Sequence, residues 1–130
     1  MKTIFKKKRN SPEHDEQVIL FKYIRFKANF DVRYKMIYAI PNGGHRNEIV
    51  AKKLKDEGVK AGVADVAVDV PCNGYHGLKI EMKAGKNRVT KEQAEFLKMA
   101  AHFGYATVVC YTAEEAIKTI EDYLNGQKNY

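Results

Sequence analysis

The order of periodic segments in this 130-residue chain predicts an α/β domain, a mixed sheet with helices packed on it. Three observations carry that expectation. A near-continuous apolar run, YATVVCYT (105–112), has the composition of a strand buried on both faces. Two strand-like runs, VADVAVDV (63–70) and LKIEMK (78–83), flank a turn-forming PCNGYHG and predict a hairpin. Helical periodicity separates these segments, giving helix, strand, helix, strand, strand, helix, strand, helix.

Ser11-Pro12 opens the first helix, a hydroxyl cap followed by proline at the first helical position. Val18, Phe21, Ile24 and Arg25 continue it at three- and four-residue steps, so the helix is expected over about 12–29, with Glu16 in its second turn. KMIYAI (35–40) reads as a short strand stopped by the PNGG turn at 41–44. A second helix over about 46–57 offers Ile49, Val50 and Leu54 as its apolar side, with Gly58 as a left-handed cap. After the hairpin, Thr90 and Gln93 form a capping-box pattern for a helix to about 102, with Ala94, Leu97 and Ala101 expected inward. Thr112 and Glu115 repeat that pattern before a last helix carrying Ala116, Ile117, Ile120 and Leu124. A parallel pairing of 78–83 with 106–111 is expected across the intervening helix.

Length fits one domain, expected over 11–125, with a basic arm at 1–10 and a frayed tail at 126–130. No apolar run reaches the length of a membrane span, and no apolar stretch follows the basic start as in a secretory signal, so no membrane partner and a cytoplasmic setting are expected. Cys72 and Cys110 lack metal-ligand spacing and read as free thiols. The net charge of +7 is uneven, because Lys2, Lys6, Lys7, Lys8 and Arg9 face no acid within the first ten residues. Such an arm suits phosphates, and equally reads as a solvated tail.

On a strand, Glu81 and Lys83 share one face while Ile80 and Met82 share the other. The hairpin can set Asp65 beside Glu81. Two carboxylates held close repel and raise a pKa unless a cation lies between them, and oxygen ligands of this kind suit Mg²⁺ or Mn²⁺. Lys83 then stands where an ammonium can orient a water or stabilise charge on a phosphate. The alternative is plain: Glu81 and Lys83 read as a solvated same-face ion pair, and Asp65 as an exposed strand residue.

GVADVAV, a turn, KIEMK and then RVTKEQ together resemble the VRR-NUC branch of the PD-(D/E)XK nucleases, in its free-standing virus or phage form. IPNGGHRN and LKDEGVKAGVAD, upstream, are similar to that family's Pro-Asn-Gly-Gly segment and its approach to the aspartate. The resemblance runs over about 13–111. It departs at Ala64, where the family commonly has proline, a residue that shapes backbone and supplies no ligand. The resemblance implies a restriction-endonuclease-like core, with Asp65, Glu81 and the Met82 carbonyl as metal ligands and Lys83 positioning the attacking water. It also implies Gln93 at a helix start beside the site, and Glu16 at the rim as a ligand of a second ion, directly or through water. Asn42, Gly43, Gly44, Arg46, Lys86 and Arg88, with Lys6, Lys7, Lys8 and Arg9 of the arm, are implied contacts to DNA; an ordinary turn and solvated loops are the other reading. The implied activity is Mg²⁺- or Mn²⁺-dependent endonucleolytic cleavage of DNA by a homodimer, on four-way junctions or other branched DNA in replication and repair. A flap-directed or nonspecific nuclease, a DNA-binding module without catalysis, and a structural α/β protein are the alternatives.

Overall fold

A computed structural model of the chain describes residues 12–41 and 47–128. Its elements follow in the order α1 (Pro12–Lys27), a short 3-10 helix (Val32–Met36), β1 (Ile37–Ala39), α2 (Glu48–Asp56), β2 (Val66–Val68), β3 (Leu78–Met82), α3 (Lys91–His102), β4 (Ala106–Cys110) and α4 (Ala113–Leu124). The expected order is therefore met, with shorter strands and a 3-10 segment where the first strand was expected to begin. The Ser11 cap lies outside the described residues.

The strands form one mixed sheet in the order β1-β2-β3-β4. β1 and β2 are antiparallel, as are β2 and β3, while β3 and β4 are parallel. The β2–β3 turn carries Asn73 and Gly74 at φ 54° and 82°, the left-handed pair that an Asn-Gly hairpin turn needs. Register pairs Val66 with Ile80 and Val68 with Leu78.

One face of the sheet holds the main core. Leu20 and Ile24 of α1 and Ala116, Ile120, Tyr123 and Leu124 of α4 close over Val66, Val68, Leu78, Ile80 and Met82. Of the residues whose spacing marked α1, Ile24 is buried and Val18 is exposed, because the buried line runs through Leu20 and Ile24. α3 lies on β3 and β4, apart from that core. Its covered line is Gln93, Phe96, Leu97 and Ala100, so Ala94 and Ala101 face solvent, one residue out from expectation. α2 buries none of its residues: Ile49 is exposed, as is Val50.

The caps explain where helices start. Thr90 and Gln93 form the complete reciprocal box on α3. At α4 only half of it forms: Thr112 accepts from the Glu115 N–H at 3.1 Å, but the Glu115 carboxylate accepts from the Tyr111 N–H, one residue early. Among the described residues no helix is long and apolar enough to cross a membrane.

Candidate active site

The register that pairs Val66 with Ile80 sets Asp65 opposite Glu81, one step past the last ladder pair. There the ladder changes character. The Met82 N–H donates to Asp65 Oδ2 at 2.8 Å, so a side-chain carboxylate takes the place of a main-chain partner and is fixed by it. On the other side of β3, the Lys83 N–H donates to the Cys110 carbonyl at 2.8 Å, which extends the pairing with β4 and holds Lys83 in line.

Alternation along β3 does separate Ile80 and Met82 from Glu81 and Lys83, but both sets are covered. Glu81 is 1% exposed and Lys83 8%, which disposes of the solvated ion pair. Lys83 Nζ lies 3.9 Å from Glu81 Oε1, at the limit of a salt bridge. Glu81 Oε2 is buried with no hydrogen-bond partner among the described residues. A carboxylate oxygen buried without a partner is costly, so the arrangement is incomplete in electrostatic terms.

Titration of the pair reflects this. Burial pushes the Glu81 carboxyl up to about 8, with the facing Asp65 charge adding to it and Lys83 opposing. Burial also raises Asp65, against the pull of the Met82 N–H. The charge of Glu13 raises both.

Glu13 is the residue that sequence reasoning missed. It stands 7 and 11 residues before Leu20 and Ile24, so it continues the buried line of α1 towards the sheet. Its Oε1 accepts from Asn87 Nδ2 at 3.2 Å, which ties the start of α1 to the loop after β3. Glu16 is turned elsewhere: its Oε2 accepts from the Ala113 N–H at 2.5 Å, at the start of α4. A carboxylate there satisfies a free helix N–H and meets the positive end of the helix dipole, a structural use for Glu16. Of the two glutamates, it is Glu13 whose charge reaches the acidic pair, while Glu16, expected at the rim, is held at the start of α4.

Gln93 is also engaged, since its Oε1 accepts from the Thr90 N–H at 2.8 Å. Lys86 and Arg88 are exposed on the loop that follows Lys83. Asn42, Gly43, Gly44 and Arg46, and Lys6, Lys7, Lys8 and Arg9, lie outside the described residues.

The approach to Asp65 depends on Gly62. Its φ is +84°, and a Cβ there would meet the Cβ and main chain of Glu92 at 3.0–3.2 Å. Only glycine lets this segment cross the first turn of α3 and deliver Asp65 to the end of β3.

The donor set fits a hard divalent cation. Asp65 and Glu81 supply carboxylate oxygens, one of them unpartnered, in a site where a second positive charge is needed to balance the pair. Among the described residues no three His, Cys, Asp or Glu side chains converge, so Asp65 and Glu81 are the side-chain ligands the site offers.

The same fold occurs in a solved structure named "VRR_NUC domain protein", with a TM-score of 0.73 and 27% sequence identity over 93% of this chain and 94% of that one. No protein-family model and no curated protein matches the sequence.

Proposed function

From the premise that this chain is a VRR-NUC domain, with that family's restriction-endonuclease-like fold and nuclease function, we propose that it is a Mg²⁺- or Mn²⁺-dependent DNA endonuclease. The observation that carries the reading is the buried Asp65–Glu81 pair with its unpartnered oxygen, beside Lys83. In this reading Asp65, Glu81 and the Met82 carbonyl hold the ion. Along a strand a residue's N–H and C=O turn to the same edge, and the Met82 N–H is bonded to Asp65. A bound divalent ion supplies Lewis-acid activation of water and neutralises charge on the phosphate.

The chain's own groups do the rest. Asp65 and Glu81, fixed by the Met82 N–H and by burial, hold their oxygens on one spot without rearrangement. The Lys83 ammonium orients the water or stabilises the charge that builds on the phosphate oxygens. Water attacks phosphorus and gives up a proton to solvent, the bond to the 3′ oxygen breaks, and that oxygen takes up a proton from solvent, leaving a 5′ phosphate and a 3′ hydroxyl. Glu13 shapes the rim and adds negative charge. Lys86 and Arg88 meet the phosphates next to the cut, and Asn42, Gly43, Gly44, Arg46 and the basic arm are proposed as further contacts to DNA.

We further propose branched DNA, four-way junctions first, as the substrate, and a homodimer in the cytoplasm of a phage-infected host as the working form. A two-fold dimer presents two sites in the symmetry of a junction's two cuts. The test is cleavage of a synthetic four-way junction beside flap, splayed and duplex DNA, in Mg²⁺, Mn²⁺ or EDTA. Wild type should cut the junction fastest, EDTA should stop it, and Glu81→Gln or Lys83→Ala should slow it at least ~100-fold. Wild type no faster than these variants in either metal would sink the enzyme reading. Preference for the flap would move only the substrate.

A further inference from the structure

A cavity of about 410 Å³ opens between the end of β1, the segment that follows α2, and α3. Ile40, Pro41, Val59, Val63 and Phe96 give it apolar walls, and the exposed Glu57 and Lys60 complete its lining. Its size is that of a small-ligand pocket, and such pockets combine apolar walls with a few polar groups. The mechanism drawn above uses none of these residues.

The backbone fixes the walls. The Val59 N–H donates to the Leu54 carbonyl at 2.9 Å and the Gly58 N–H to the Lys55 carbonyl at 3.0 Å, the paired bonds of a Schellman motif that turns the chain at the end of α2. Further on, Gly62 rests against Glu92 of α3. The Ile40 N–H donates to the Asp65 carbonyl at 2.8 Å, so the β1 wall is bonded to a residue of the acidic pair. Val63 stands two residues before Asp65, about 7 Å along an extended chain. Phe96 follows Gln93 by one turn on the covered side of α3.

Position says what fills the cavity. A phosphate on the acidic pair carries a nucleoside on each side, so one base lies within reach. Phe96 offers an aromatic wall on which any base stacks, Glu57 an acceptor for a base N–H, and Lys60 a cation for a neighbouring phosphate. A base that is already unpaired costs least to take out of the stack, and branched DNA offers such bases. We propose that the cavity receives one unpaired base of the strand being cut, next to the cleaved phosphate, with Phe96 as its stacking wall. This rests on, and deepens, the reading of the protein as a nuclease of branched DNA. The cavity thus selects structure rather than sequence: it favours a strand with a free base beside the cut over continuous duplex.

Binding in EDTA, read by fluorescence anisotropy on the full chain, tests the cavity separately from cleavage. The probes are labelled four-way junctions and splayed duplexes in which a single abasic nucleotide is moved stepwise through the positions around the branch. At one position the missing base should weaken wild-type binding about tenfold. Phe96→Ala and Val59→Trp should lose that dependence and bind the abasic and intact probes alike. Val59→Trp fills the cavity from an exposed position, so it keeps the test open if Phe96→Ala loosens α3. A flat scan in wild type overturns the proposal, as does the same dependence on one base in wild type and in both variants. A flat scan in a protein that still cuts the junction removes the cavity and leaves the nuclease reading standing. A base dependence that vanishes in Val59→Trp, in a protein that cuts nothing in Mg²⁺ or Mn²⁺, keeps the cavity as a base site and sinks the nuclease reading.

Discussion

Glu13 and Glu16 sit three residues apart on one side of one helix, yet they serve different neighbours. Glu13 continues the line of Leu20 and Ile24 and its charge reaches Asp65 and Glu81. Glu16, turned to the flank, accepts from the first N–H of α4. We expect Glu16→Ala to cost about 1 kcal/mol in urea denaturation, the usual loss of a cap, while leaving cleavage near wild type. Glu13→Ala should do the reverse, little change in the denaturation midpoint and cleavage slowed about tenfold or more. Equal effects on both measurements would show that the two carboxylates are not separated in this way. That Asp65, Glu81 and Lys83 come together was legible because strand alternation and one Asn-Gly turn fix their relation. The choice between Glu13 and Glu16 was not, because it depends on where α4 begins, almost a hundred residues on.

At the scale of elements, the helix starts and the hairpin were legible because caps and turns are local chemistry. Helix faces were less so. On α3 the alanines at 94, 100 and 101 mark a side weakly, and the covered line proved to run through Gln93, Phe96, Leu97 and Ala100. On α2, periodicity gave an apolar side of which Leu54 is half-buried while Ile49 and Val50 stay exposed. Glycines show the same contrast between local and tertiary demands. Gly58 and Gly62 both have positive φ, but a Cβ at Gly58 meets nothing within 4 Å. Gly58→Ala should therefore cost only the left-handed strain, about 1 kcal/mol, and leave cleavage intact. Gly62→Ala adds a clash with the main chain of Glu92 and displaces the segment that carries Asp65. We expect it to cost about 2 kcal/mol or more and to slow cleavage, read by urea denaturation and the junction assay. Equal losses in the two variants would remove the special role of the crossing at α3.

For the whole molecule, the acidic pair makes folding depend on pH and on cations. The Glu81 carboxyl titrates near 8 in the fold against an ordinary 4.5, and Asp65 is raised in the same direction. Between those values the native chain holds protons that the unfolded chain has released. Stability of the metal-free protein is thus fully present below about pH 4.5 for this group and falls as pH rises towards 8. Thermal melts in EDTA should show that fall, Glu81→Gln should flatten it, and Mg²⁺ or Mn²⁺ should raise the wild-type midpoint most at the alkaline end. A wild-type profile as flat as that of Glu81→Gln, with no response to either ion, would mean that the pair is already balanced by something else. The fold was legible at this scale from element order alone, because an α/β sheet leaves few ways to connect such a series.

The bond from the Met82 N–H to Asp65 has a wider consequence. It makes the final rung of the β2–β3 ladder part scaffold and part site, so the proton that closes the sheet is also a witness to the carboxylate. Whatever charge or partner Asp65 acquires is felt by a main-chain amide, and a nitrogen-15 spectrum can follow events at the site through a residue whose side chain never leaves the core.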